Sequence, residues 1–427
     1  MHQQTSHTQA PSQVMQHDFV SHQNDFEKVY AKKQTGDNGL RFPLQDVDVL
    51  KWQRGVNADD FYAYMYRRYT CHILANIDIK DGMDILVLGC GVGSDEKNIK
   101  KLYPNCRTWS IDISAQMIER AIASQSPSQF ALGVAESLPF PANSFDRIIS
   151  REVIEHVAAP ALMMQEVSRV LRPGGIAMIT TENEESWGLG NDRYTFIRDK
   201  IVSIGKGIAK VFGVTFEEAL PASYKDEAPT LKEFQDYTAS AGLTLEKTFW
   251  DGALYKCLPV FQHIIGPKRM VRWAHYFSCL ENTPRLAFWF CDQVKYKVTK
   301  PQSDNETANT PVLTVPGSDS ILVETDSGLH DPVSGKTYQK LNGVPDMVPK
   351  VENPESGGTA KAMPVKKNSQ LYNYVRTKIR FIYRLVLLLV AWLVSVVVTK
   401  NSDRPSQFIK DRTWDEYIAV SLRKSRL

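Results

Sequence analysis

Short apolar runs alternate with amphipathic stretches through the middle of the chain. Ile85-Leu86-Val87-Leu88 is continuous and ends in glycines, the pattern of a strand buried on both faces. Similar runs follow at Thr108–Ile111, Gln129–Leu132, Phe145–Ile149 and Gly175–Ile179. Between them, Ala115–Ser124 and Pro160–Leu171 carry helical periodicity. Strands that alternate with helices predict an α/β fold with a doubly wound sheet covered on both faces.

The flanks differ. Residues 1–40 are rich in Gln, His, Ser and Asn, show neither period, and are expected to be a disordered tail. The α/β pattern occupies 41–300, with an aromatic-rich, cap-like insertion at 251–292. A Pro/Ser/Thr/Asn stretch at 301–318 is expected to be a linker, and 319–349 a small β-rich module. A second linker is expected at 350–375. The run Phe381–Thr399 is apolar over nineteen residues, so 380–400 is expected to be a hydrophobic, membrane-anchoring helix; 401–427 is a polar tail. As a helix that run would be about 28 Å long, close to a bilayer core, and an in-plane anchor is an open alternative to a spanning one.

Composition narrows the classes. At 427 residues the chain exceeds one typical domain. A net charge of +3 argues against a dedicated nucleic-acid binder, so no nucleic-acid partner is expected. The six cysteines include no CxxC pair, which points to a reducing compartment and away from a disulfide framework or zinc site. Basic residues before the apolar run slightly outnumber those after it, which would keep the α/β domain on the cytoplasmic side of a membrane.

Candidate chemistry starts at the end of the first strand, in Gly89-Cys90-Gly91-Val92-Gly93. Glycines there let a ligand approach the backbone and open a helix whose N–H groups face it. Dinucleotide enzymes carry a similar loop, but they place a glycine where this chain has Ser94. Asp112 ends the second strand, 19 residues after Gly93, where an acid accepts ribose hydroxyls; it also suits a helix N-cap. Downstream come Ala135-Glu136-Ser137-Leu138-Pro139-Phe140, Asn143-Ser144-Phe145-Asp146, Glu152-Val153-Ile154-Glu155-His156-Val157 and Val170-Leu171-Arg172-Pro173-Gly174-Gly175.

This ordered set resembles the class I S-adenosylmethionine-dependent methyltransferases, in particular the small-molecule, quinone-type branch. The resemblance is close over 80–182 and looser to 301, where Leu231–Trp250 is similar to the family's late helix and sixth strand and Val294–Thr299 to its seventh. It implies a seven-stranded Rossmann-like sheet and S-adenosylmethionine as cofactor. Gly89, Cys90, Gly91 and Gly93 would cradle the methionine part, and Asp112 would hold the ribose. Ile113, Ala135 and Glu136 would lie along the adenine. Arg151 and Glu152 would floor the methionine side. One departure stands out: Val87 occupies the place of the family's usual acid, leaving the ammonium to a backbone carbonyl or to Asp95.

A base near the methyl helps when the acceptor is a hydroxyl or an acidic carbon, and His156, expected to open the helix after the fourth strand, is the candidate catalytic residue. Glu152, Glu155 and His156 would share a helical face able to hold a divalent ion, though no metal is assigned. Leu329–Val348 resembles the end of the zinc-ribbon methyltransferase-activator family, with Asp331 and Ser334 where cysteines would stand. That implies a zinc-free module which adds a strand to the catalytic domain. The expected function is methyl transfer to a lipophilic small molecule at a membrane. A protein or RNA acceptor, or a non-catalytic membrane scaffold, are the alternatives.

Overall fold

The computed structural model describes residues 19–34, 61–183, 185–186, 227–253, 281, 284–303 and 306–350. The apolar run 381–399 and the segments around it lie outside the described residues. Among the described residues no helix is long and apolar enough to cross a membrane.

Helix α1 (Phe19–Gln34) and helix α2 (Phe61–Asn76) precede the alternating region. That region runs β1 (Asp84–Leu88), α3 (Ser94–Leu102), β2 (Arg107–Asp112), α4 (Ala115–Ala123), β3 (Gln129–Leu132), β4 (Phe145–Arg151), α5 (Pro160–Val170) and β5 (Leu171–Glu182). After it come α6 (Leu231–Ser240), β6 (Thr244–Ala253), α7 (Pro284–Phe290) and β7 (Cys291–Thr299). The strands form one seven-stranded sheet in the order β3-β2-β1-β4-β5-β7-β6, with β7 running antiparallel to the other six. This is the Rossmann-like order expected from the sequence. The order reverses between β1 and β4, and the crevice at that switch point is where such sheets bind ligands.

Alternate residues of β1 point to opposite faces, and both faces are covered. Leu86 and Leu88 join Phe140, Phe145, Ile148, Met163 and Val167 in one core. Ile85 and Val87 join Ile73, Ile77, Ile99, Ile149 and Met178 in the other. Arg147 secures the end of α2, donating from Nε to the Ile77 carbonyl at 2.7 Å and from Nη2 to that of Asp78 at 2.8 Å. Helix starts are capped as their sequences allow. Ser114 accepts from Met117 N, and Thr230 with Glu233 forms a capping box.

Two expectations are corrected. The N-terminal stretch is not structureless throughout: α1 docks on the sheet domain with Phe19 and Phe26 buried. Its polar composition hides this, because two aromatic anchors and a few hydrogen bonds do the docking. Nor is 301–318 a free linker. Asn309 N donates to Asn143 O, Thr314 N to Pro139 O and Gly317 N to Leu138 O, while Leu313 and Val315 pack on the main core. Of the cap-like insertion, 251–253 belong to β6, 284–290 to α7 and 291–292 to β7; 254–280 lie outside the described residues.

The small module holds a three-stranded sheet of β8 (Val323–Thr325), β9 (Gly328–His330) and β10 (Thr337–Tyr338), and a hairpin of β11 (Lys340–Leu341) and β12 (Val344–Pro345). Asp331 organises its turn. It accepts the N–H groups of Val333 and Ser334 at 3.1 Å and the Ser320 hydroxyl at 2.8 Å. The Ser334 hydroxyl also donates to Asp331, and these donors hold its carboxyl down to about 2. After β12 the chain meets the edge of the main sheet. Asp346 bridges Leu132 in parallel, and Met347 N donates to Leu132 O at 2.9 Å. The module thus covers the otherwise open edge at the carboxyl end of β3. Met347 is fully buried against the main core. Met347→Ala should therefore destabilise the whole domain by about 2–5 kcal/mol, read as a lower urea midpoint with one unchanged transition.

Candidate functional site

The glycine loop is set by two contacts. A Cβ on Gly89, whose φ is +64°, would stand 2.3 Å from Val153 Cγ2, so only glycine lets β1 turn beside the chain leaving β4. A Cβ on Gly91, at φ +52°, would meet nothing within 4 Å. Gly91 therefore fronts open space at the switch point, a cradle that a side chain would fill. Gly89 N and Cys90 N donate to Ile111 O at 2.8 and 3.3 Å, tying the loop to β2.

Asp112 locks this arrangement. Its Oδ2 accepts from Gly91 N and its Oδ1 from Ser114 N, both at 2.9 Å. The carboxylate thus joins the glycine loop to the start of α4. Burial pushes its pKa up to about 6, against the pull of those N–H donors. Ile113 follows, half-buried, and Ala135 lies buried after β3. Glu136 is committed elsewhere: its Oε1 accepts from Ala158 N at 2.7 Å and Ala159 N at 3.3 Å, capping α5, whose own N-cap residue supplies no side-chain bond.

The end of β4 carries a polar network. Arg151 Nη2 donates to Thr70 Oγ1 at 2.8 Å and pairs with Asp95. Asp95, one expected acceptor for an ammonium, is thereby engaged with a guanidinium; its carboxyl is still raised, because burial outweighs Arg151. Glu152 sits at φ +51°, a left-handed conformation that costs a non-glycine residue energy and gathers at functional sites. Tyr69 donates to Glu152 Oε1 at 2.6 Å. Burial and Glu152 itself push the Tyr69 phenol well up, so it keeps its proton and serves as donor. Lys295 Nζ lies 4.2 Å from the Tyr69 ring centroid and 2.5 Å from Asp251 Oδ2, with no exposure of its side chain.

Tyr69, Asp251 and Lys295 were not anticipated. The available signal was charge at inward strand positions: Val294, Tyr296 and Val298 alternate with Lys295 and Lys297 along β7. Also unanticipated was α1, which spans the site. His22 Nε2 lies 2.8 Å from His156 O, and Glu27 Oε1 accepts from Ala115 N at 2.6 Å at the start of α4.

The expectation for His156 is corrected in its setting. It lies in a turn at 154–156, ahead of α5, and its ring meets Phe26 edge-on at 5.6 Å. Glu152, Glu155 and His156 therefore share no helical face. Glu155 is buried, accepts from Thr181 Oγ1 at 3.0 Å, and is pushed well up by burial and by Glu152. Among the described residues no three His, Cys, Asp or Glu side chains gather as a metal site.

Residues 86–179 match the family described as Methyltransferase domain. The chain carries a class I S-adenosylmethionine-dependent methyltransferase domain. Similar proteins include a sterol 24-C-methyltransferase of Gibberella zeae, 29% identical over 157 residues that make up 34% of this chain and 40% of that one. A 2-methyl-6-phytyl-1,4-hydroquinone methyltransferase of Synechocystis sp. is 34% identical over 106 residues, 24% of this chain and 33% of that one. The chain thus spans well under half the length of these relatives. A phosphoethanolamine N-methyltransferase 2 of Haemonchus contortus, solved with phosphomonomethylethanolamine and S-adenosylhomocysteine, aligns at a TM-score of 0.36 and 16% identity over 55% of this chain and 53% of that one.

The residues present fit S-adenosylmethionine: an open glycine cradle beside a buried carboxylate that keeps lone pairs for hydroxyl donors. The ionised carboxylate is the stronger acceptor, so binding is full above the Asp112 pKa and lost as pH falls through it. S-adenosylhomocysteine should bind about tenfold more weakly near pH 5 than near pH 7. Calorimetric titration of Asp112→Asn should show weak binding at both values and no such pH dependence.

Proposed function

We propose that this protein transfers a methyl group from S-adenosylmethionine to a lipophilic small molecule, a quinone precursor or lipid, at a membrane surface. The observation that carries the transferase half is the open cradle at Gly91, joined through its N–H to Asp112. An open cradle also favours a working site over a cofactor-degenerate scaffold. The lipophilic acceptor rests on two supports. Relatives that share the domain are named for sterol and hydroquinone methylation, and the chain carries the apolar run 381–399. An anchor of that kind would hold the catalytic domain on the cytoplasmic side, beside a substrate dissolved in the bilayer, and raise its effective concentration.

Bound S-adenosylmethionine supplies an electrophilic methyl on sulfur. The protein's part is alignment and exclusion of water. Asp112 holds the ribose, the Gly89–Gly93 loop faces the amino-acid part, and Ile113 with Ala135 lines the adenine side. Arg151 and Glu152 close the β4 side, with Tyr69 and Thr180 fixing the Glu152 carboxylate. His156 follows on the same side of the sheet as the proton acceptor for a hydroxyl or acidic carbon.

The test is transfer of tritiated methyl from S-adenosylmethionine by the full-length chain in detergent, offered a total lipid extract. Label should enter the organic phase and require Asp112. Label confined to protein or RNA would sink the lipophilic acceptor, and label nowhere would sink the transferase. With an acceptor in hand, His156→Ala should cut turnover by about 10²-fold or more at unchanged cofactor affinity. Unchanged turnover would move the proton to Glu152.

A further inference from the structure

Helix α1 lies across the carboxyl ends of the central strands. At the β4 side it is held by the His22 contact to the His156 carbonyl and by Phe26 against the His156 ring. At the β2 side it is held by Glu27 and by Gln116 Nε2, which donates to Glu27 O at 3.2 Å. The Ala115 N–H that Glu27 Oε1 accepts is the neighbour of the Ser114 N–H that Asp112 Oδ1 accepts. Two carboxylates therefore sit on consecutive backbone donors. Glu27 is among the groups that disfavour the Asp112 charge. The second Glu27 oxygen, Oε2, is buried and has no hydrogen-bond partner among the described residues.

Such an arrangement is unfavourable by itself. Like charges repel at this range, and a buried acceptor with no donor forfeits the bonds it made to water. A ligand that brings two adjacent hydroxyl donors relieves both costs, one hydroxyl to each carboxylate.

We propose that Glu27 belongs to the cofactor site, its Oε2 accepting a hydrogen bond from the ribose diol beside Asp112, so that α1 closes over the bound cofactor. The proposal rests on the methyltransferase reading. Without a ligand Oε2 is shut from solvent and unpaired, whereas a diol taking the place beside it satisfies it. Cofactor binding and helix docking are then one linked equilibrium. The same closure brings Phe26 over His156 and shields the reacting end from water.

The experiment is calorimetric titration of the full-length chain and of Glu27→Gln with S-adenosylhomocysteine and with its 2′-deoxy and 3′-deoxy analogues. Glu27→Gln should bind S-adenosylhomocysteine about tenfold more weakly, and should lose less than about threefold on the analogue that lacks the hydroxyl Glu27 accepts. Equal loss on all three ligands means a structural role and overturns the proposal, as does undiminished binding. A second readout needs no variant. Lys28 is exposed, with a side-chain accessibility of 65%, so trypsin can probe α1 there. S-adenosylhomocysteine should slow cleavage after Lys28 in the wild-type chain, and unchanged cleavage at saturation overturns the proposal. A wild-type chain that binds no S-adenosylhomocysteine fails the methyltransferase reading itself, and the Glu27 proposal with it.

Discussion

The architecture of the site depends on one carboxylate. Asp112 accepts the N–H of Gly91 on one oxygen and that of Ser114 on the other. The first bond holds the glycine loop open; the second starts α4 at the right place after β2. Both donors are backbone groups at points where the chain changes direction, so without Asp112 each needs another acceptor in a largely dry setting. Its position at the end of β2, next to β1 in the sheet, lets one side chain serve two loops. The cost is visible in its raised pKa: burial works against the charge of the carboxylate that makes these two bonds. Strain of this kind is expected where a group is kept for a ligand rather than for stability.

The carboxyl edge of the sheet holds several more buried acids, each handled differently. Asp95 is paired with Arg151. Glu96, fully buried, takes the Ser110 hydroxyl at 2.5 Å and is pushed up to about 7 by burial. Glu155 takes the Thr181 hydroxyl, and Lys295 pairs with Asp251 across β7 and β6. Uncompensated, these charges would penalise the fold heavily. With a hydroxyl or a cation at each, they form a polar ceiling over an apolar sheet. Tyr69 ties the ceiling together, standing near both cations while donating to Glu152.

What could be read from the sequence was whatever depends on local pattern. β1 through β5 announce themselves as short apolar runs, and the glycine loop and Asp112 follow them at fixed spacing; the sheet and the place of this acid beside the loop were legible for that reason. The contact Glu136 makes with the start of α5 was not legible, because nothing in the local pattern says that a helix start without its own cap takes its acceptor from 22 residues upstream. His156 was misread as helical because the turn at 154–156 and α5 run together in sequence. α1 was illegible because its docking depends on Phe26 and Glu27 finding partners more than 80 residues away. The segment after Lys300 failed for a related reason: it attaches by backbone bonds and a few apolar side chains, and neither leaves a periodic trace.

The valine at position 87 stands where apolar core and polar crevice meet. Its side chain is 2% exposed and packs with Ile85, Ile149 and the apolar residues of α2. An acid there would sit on a face that this chain has made hydrophobic, and would need a partner that α2 supplies only further along, at Thr70 and Tyr69. Those residues instead serve Arg151 and Glu152 on the neighbouring strand. The polar groups at the mouth of the crevice thus gather at the end of β4 and not on β1, its direct neighbour in the sheet. Apolar packing under β1 seals that face of the sheet, and the left-handed Glu152 just past β4 carries the polar contacts beside it.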